Sequence, residues 1–160
     1  MEPTVVSRPA STDDVGELVR LYGRLAQEMD ALESMWAIAD GLPEPIDAAF
    51  VAAIEDAETM VRVGSIDGVT CGFVLARVEP LLPHTDEVVG AIHFVFTEPE
   101  ARGVGVGEAM RDDTIEELRA RGVRRFDAHV LPGHRLAKNF FEAGGFSARH
   151  IVMYHEDATP

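Results

Sequence analysis

The sequence is short of cysteine, of lysine, of basic charge and of long apolar runs. Its one cysteine in 160 residues, Cys71, excludes an internal disulfide framework and a thiolate metal cluster. Its one lysine, Lys138, lies in no Gly-Lys-Ser or Gly-Lys-Thr, so a P-loop is absent. The six histidines show neither H-x-x-x-H nor H-x-H spacing, and no metal site is expected. No window approaches the roughly 20 apolar residues of a membrane span, and residues 1–10 hold no apolar stretch of signal-peptide length. Lys and Arg number 14 against 28 Asp and Glu, a formal net charge of −14. A duplex-binding protein of this size is normally basic, because phosphate neutralisation supplies most of its affinity; no nucleic-acid partner is expected. What remains is a chain with 46% apolar residues, long enough for one buried core. The expectation is a soluble, cytoplasmic protein with residues 1–160 as a single domain.

The charge is unevenly spread. Residues 1–60 carry a net of −10, residues 61–100 a net of −4, and residues 101–160 a net of zero. An acidic front and a neutral, arginine-bearing rear can mark two kinds of ligand on one domain. Acids that merely solvate helix faces would give the same pattern.

Residues 4–9 read as a first strand. Ser11 is a helix N-cap, with Asp13 and Asp14 where the dipole favours anions. Val15, Leu18, Val19, Tyr22, Leu25, Met29 and Leu32 recur at helical spacing. Gly41, Pro43 and Pro45 break the chain before a second helix marked by Ile46, Phe50, Ile54 and Ala57. Residues 59–66 and 70–78 flank Asp67-Gly68, a hairpin signal. After a loop at 81–85 come a strand at 88–97, a glycine-rich loop, a helix to about residue 121, a strand at 125–131, a helix at 135–143 and a last strand at 149–155. The order β-α-α-β-β-β-α-β-α-β makes this an α/β (α+β) chain.

The stretch Glu98-Pro99-Glu100-Ala101-Arg102-Gly103-Val104-Gly105-Val106-Gly107 joins a strand to a helix. Glycines there let backbone N–H groups converge, and the helix start adds positive dipole, a cradle for phosphate. The dinucleotide pattern G-x-G-x-x-G fails: its third glycine would fall on Glu108 or Met110. The pattern R-x-x-G-x-G is met by Arg102, Gly105 and Gly107.

With its strand before and helix after, this loop resembles the acetyl-CoA signature of the GNAT superfamily of N-acetyltransferases. Ala137-x-x-Phe140-Phe141-Glu142-x-x-Gly145-Phe146 resembles a second motif of that family. The resemblance implies the GNAT fold, a mixed central sheet of six to seven strands flanked by about four helices. It implies acetyl-CoA as co-substrate, in a gap between the parallel strands at 88–97 and 125–131. The pantetheine would pair with backbone of Val95, Phe96 and Thr97. The pyrophosphate would rest on N–H groups of Arg102, Gly103, Val104, Gly105, Val106 and Gly107. A strand N–H would polarise the thioester carbonyl, and an amine of a small molecule or peptide would attack it directly.

An attacking alkylamine must first lose a proton, which calls for a base. His93 is the candidate. It stands at the offset from Arg102 of one of two strand histidines in the arylalkylamine N-acetyltransferases; the other falls on Ala91. The alternative is a histidine that fills the sheet face. Glu98 is the second candidate base, read as solvated beside the loop. The family's thiol-protonating tyrosine falls on Phe141, which cannot donate, and its cofactor-touching asparagine falls on His134, which can. Met29, Met35 and Trp36 would flank the acceptor or belong to core. The short tail leaves an open edge that a second protomer could pair with. A non-catalytic acetyl-CoA sensor or interaction module of the same fold is the competing reading, motivated by Phe141 and the incomplete histidine pair.

The acidic front suits a cationic acceptor. Turnover should therefore fall with rising salt more steeply for polyamine or basic-peptide acceptors than for neutral ones. Initial rates from low to high ionic strength check this, and a common salt profile would remove the argument.

Overall fold

Periodic apolar residues build the frame. The computed structural model describes residues 1–32 and 40–160. The chain runs β1 (Val5–Pro9), α1 (Val15–Ala31), α2 (Ile46–Glu55), β2 (Thr59–Ile66), β3 (Val69–Leu81), β4 (His84–Thr97), α3 (Val106–Ala120), β5 (Phe126–Ala128) and α4 (Arg135–Ala143), with 3-10 turns at Thr12–Asp14 and Pro99–Ala101. The five strands form one sheet in the order β1-β2-β3-β4-β5. The first four are antiparallel neighbours, and β5 alone is parallel to β4. The helix and strand order matches expectation except at two places. The β3–β4 hairpin is longer than expected: pairing persists to Leu81 opposite His84, absorbing most of the loop at 81–85.

The second difference is a correction. Residues 149–155 form no strand, so the sheet has five strands rather than six or seven. A β-rich sequence becomes a strand only where a partner strand presents a ladder. The neighbouring β5 lasts three residues rather than the seven expected and offers little template. Arg149 is held to Asp127 of β5 through its side chain, at 2.7 and 2.5 Å. Beyond it Ile151, Val152 and Met153 are exposed, and Tyr154 donates to Glu156 at 3.0 Å on the surface.

Ser11 starts the first helical segment as expected. Its side chain accepts from the Asp13 N–H, and Asp14 accepts from the Ser11 N–H in return. Arg8 grips Asp14 with two nitrogens at 2.7 and 2.8 Å and holds that carboxyl below the usual carboxylate range. Leu18, Leu21, Tyr22, Leu25 and Met29 then line the buried side of α1. With Phe50 and Ala53 of α2 they cover one sheet face, meeting Val61, Val63, Phe73, Leu75, Phe94 and Phe96. The alternate strand residues Met60, Val74, Ala76 and Ile92 face Met110, Ile115 and Leu118 of α3. Fully burying each such side chain contributes about 1.5–3 kcal/mol.

Helix α3 sits on a seat of missing side chains, one glycine on each of three adjacent strands. A Cβ on Gly64 would lie 2.7 Å from Val106 Cγ2, and one on Gly90 would lie 2.6 Å from Leu118 Cδ1. Gly72 is the least yielding, because its Cβ would lie 2.8 Å from a backbone atom, the Phe96 carbonyl oxygen, and 2.9 Å from Met110 Cε. The neighbouring backbone cannot yield as a flexible side-chain tip can. Gly72→Ala should therefore destabilise the protein by about 1–3 kcal/mol, read as a lowered midpoint in chemical denaturation. An unchanged midpoint would show that the seat has slack.

Candidate active site

The site begins where two strands part. Parallel β4 and β5 pair only through Gly90, Ala91 and Ile92 opposite Phe126, Asp127 and Ala128. The last link is the His129 N–H donating to the Ile92 carbonyl at 2.9 Å. The chain then swings through Pro132 and Gly133 into α4, while β4 continues to Thr97 with no partner strand on that side among the described residues.

An extra residue in β4 marks the same point. Ala76 faces Ile92 across the ladder, but Leu75 faces Phe94, so His93 is a β-bulge. Packing agrees. Ile92 lies in the α3 cluster while Phe94 and Phe96 lie in the α1–α2 cluster, although residues two apart normally share a face. Val95 packs towards the α3 side.

The bulged His93 is mostly buried. Its Nε2 meets Glu79 Oε1 of β3, and its ring lies 4.4 Å from the His129 ring at an interplanar angle of 37°. Crowding by the surrounding chain pushes the His129 imidazole below its usual pKa, and a charge on His93 adds to this. Glu79, Asp127 and Asp40 oppose it. Neither His129 nor Glu79 is picked out by motif reasoning. Only a histidine on the strand adjoining that of His93 hints at the pair.

The glycine loop lies at the far end of β4. Gly103 and Gly105 have φ of 84° and 101°, which glycine adopts freely. Open space lies where their side chains would be. Gly105 caps α3, and the first loop N–H to find a helical carbonyl is that of Ala109, on Gly105 at 3.0 Å. The N–H groups of Gly103, Val104, Gly105, Val106 and Gly107 thus precede the hydrogen-bonded part of the helix and suit an anion. Val106 itself is core, whereas Val104 is exposed.

Arg102 is occupied within the protein. Its Nε donates to the Thr97 carbonyl at 2.9 Å, its Nη2 bonds Glu28 at 3.0 Å, and its guanidinium lies 5.7 Å from the Phe96 ring centre. Its own N–H bonds the Pro99 carbonyl. The side chain ties the loop to α1. Glu98 is buried, not solvated as the sequence suggests. Arg20 and Arg24, one turn apart on α1, both reach it, Arg24 at 2.8 Å. With Oε1 held by two guanidiniums, Glu98 is a structural carboxylate rather than a free base. Arg24 also holds the exposed Glu100 carboxyl down to about 2. Cys71 is buried, and burial raises its thiol pKa, with Glu98 adding to the effect.

His134 stands at the head of α4, half-buried, with no cap bond from its side chain. Burial pushes its imidazole down; Glu28 opposes this and Arg102 reinforces it. Phe141 is in the core, edge-on to Phe140 and Phe146 at 5.1 and 5.3 Å. Phe140 is the ring nearer the loop: a Cβ on Gly107 would lie 3.3 Å from its Cε2. Arg111 stacks on it at 4.7 Å and donates to its carbonyl at 2.8 Å. Met29 is core, while Met35 and Trp36 lie outside the described residues. Among the described residues no group of three or more His, Cys, Asp or Glu could hold a metal ion, and no helix is long and apolar enough to cross a membrane.

A mixed sheet whose two parallel strands part, with a loop of N–H groups suited to an anion at the end of one of them, defines an α/β fold. The model of the acetyltransferase (GNAT) family matches residues 20–146, and the chain belongs to that family. It is 36% identical over 62 residues to a mycothiol acetyltransferase of Beutenbergia cavernae, covering 39% of this chain and 21% of that protein. Matches to its curated relatives cover between 21% and 40% of their length. The fold is shared with a tetramutant of the BH1408 protein of Bacillus halodurans, with a TM-score of 0.80, 20% identity and coverage of 94% and 99% of the two chains. It is shared also with aminoglycoside N-acetyltransferase AAC(6')-Iy in complex with CoA, with a TM-score of 0.74, 16% identity and coverage of 99% and 98%.

The assignment of Glu98 as a structural carboxylate is testable. Glu98→Ala should lower the unfolding free energy by about 1–3 kcal/mol, because two guanidiniums lose their partner. Equilibrium denaturation measures it, and an unchanged stability would return Glu98 to the list of free carboxylates.

Proposed function

We propose that this chain, with residues 1–160 as one domain, transfers an acetyl group from acetyl-CoA to a primary amine of a small molecule or peptide. The observation that carries this reading is the parting of β4 from β5 at His93, with the glycine loop at the far end of the same strand. The residues fit the co-substrate. The loop offers N–H groups and open space at Gly103 and Gly105, and the side of β4 away from β3 offers backbone at Val95 and Thr97, the Thr97 carbonyl already accepting from Arg102, while the intervening Phe96 turns its backbone towards β3. Since Arg102 is spent on Thr97 and Glu28, the N–H groups of residues 103–107 would hold the pyrophosphate. Bound acetyl-CoA supplies an activated thioester carbonyl.

The chain supplies a base and a donor. His93, at the bulge, would take the proton of the acceptor ammonium. His134 is the ring N–H available on the loop side. Phe141 gives that side only an apolar wall. The carboxylates of Glu79, Asp40 and Asp127 act on His129, Glu79 also touching His93, and favour an acceptor that arrives as a cation. Amine-bearing small molecules, of the kinds named for the mycothiol and aminoglycoside relatives, come first as candidates. A cytoplasmic homodimer completes the reading: β5 is a sheet edge, and the uncovered run at 151–154 gives a second copy an apolar surface.

Two measurements test this. Acetyl-CoA should raise the melting temperature, and CoA should be released with at least one member of a panel of amino sugars, aminoglycosides, polyamines, amino acids and basic peptides. Binding without turnover would favour the sensor reading, and no binding would remove both. His93→Ala should lower kcat/KM by about 10²–10⁴-fold and erase the acid limb of its pH profile. A mutant that keeps the limb would remove His93 as the base.

A further inference from the structure

His93 has two ring nitrogens, and one is already committed. Its Nε2 meets Glu79 Oε1. A carboxylate has only lone pairs to offer, so Nε2 carries the hydrogen and the basic lone pair falls on Nδ1. The second imidazole, His129, lies against the first at 4.4 Å from across the opening. Two imidazolium rings at that distance would repel, so the pair holds one proton easily and a second with difficulty. The groups around them are Glu79 from β3, Asp127 from β5, and Asp40 ahead of α2. Asp127 is already paired with Arg149, and Glu79 is the carboxylate that touches His93 itself. Glu79 is therefore the carboxylate placed to meet a charge on His93.

We propose that Glu79 is a positioning residue for the transfer: it fixes the hydrogen of His93 on Nε2, leaves Nδ1 as the base, and holds the imidazolium that forms, while His129 stays neutral beside it. The inference rests on the reading of His93 as the base. The step balances simply. An N–H bond of the acceptor ammonium breaks and an Nδ1–H bond forms. The freed electron pair stays on the amine nitrogen for attack, and His93 passes from neutral to a cation against the Glu79 anion. Its proton then returns to water.

Glu79→Gln isolates the charge, because the amide oxygen can still accept from Nε2–H. An anionic neighbour favours the imidazolium form, so its loss should favour the neutral His93 ring. The neutral, basic form then persists to lower pH. The acid limb of kcat/KM should move to lower pH with it, and kcat should drop severalfold on the plateau because the base is weaker. His129→Phe keeps a ring in place, and because a neutral His129 carries no charge, His93 should titrate there as in the wild type. Proton NMR titration of the His93 ring in the wild type and both variants reads these outcomes without any turnover. An unmoved His93 titration in Glu79→Gln overturns the positioning role, even where wild-type turnover and the loss in His93→Ala support the base. Should Glu79→Gln not fold, a His93 titration displaced to higher pH in His129→Phe would show charge on His129 and overturn the pairing. Absence of turnover with every amine would instead sink the transferase reading, whatever the titrations show.

Discussion

One extra residue in β4 governs the rest of the site. Without the bulge at His93, the strand's even-numbered residues would stay on one face. Phe94 and Phe96 would then point at α3 rather than into the cluster with Tyr22 and Phe73. The bulge switches faces in mid-strand, and it does so where β5 departs. Two events that each weaken a sheet, an unpaired residue and a lost neighbour, fall at one place. The cost is tolerable because β4 stays hydrogen-bonded to β3 on its other side through Thr97. The result is a strand with one satisfied edge and one open edge, which neither an intact sheet nor a loop could give.

The loop at the end of that strand depends on arginines of two kinds. Arg20 and Arg24 hold Glu98 against α1, and Arg102 holds the Thr97 carbonyl and Glu28. These contacts fix the strand end from the side chains, leaving the backbone N–H groups of residues 103–107 for a ligand. They also revise the meaning of the net charge of −14. Much of the acidic front, including Glu17, Glu28, Glu98 and Glu100, is paired with arginine. The acid beside the two histidines is a smaller set, Glu79, Asp127 and Asp40.

Local signals carried far. The helical spacing of α1, the Asp67-Gly68 turn and the glycine loop are short-range patterns, and each appears where its residues predict. What escaped depended on partners distant in sequence. Glu98 reads as a loop carboxylate until Arg20 and Arg24, more than seventy residues earlier, are brought onto it. Glu79 and His129 carry no motif, and become interesting only when a bulge aims His93 between them. The run at 149–155 has strand composition, yet its fate was decided by a β5 too short to pair with it. In each case the residue type was legible and its partner was not.

The position of Phe141 bears on how the reaction could end. A tyrosine there would have to place a hydroxyl in the apolar cluster of Met110, Ile115 and Phe146 or turn it out towards the opening. Phenylalanine removes that conflict and lets three rings, Phe140, Phe141 and Phe146, pack edge to face. Phe140 in turn carries Arg111 on its face and closes against Gly107. The aromatic group therefore stabilises the wall of the loop rather than supplying a proton. A thiol with an ordinary pKa near 8.5 is a modest leaving group that needs little help. A family member can thus give up the hydroxyl for packing at small chemical cost, provided that amine deprotonation, the step proposed for His93, is kept.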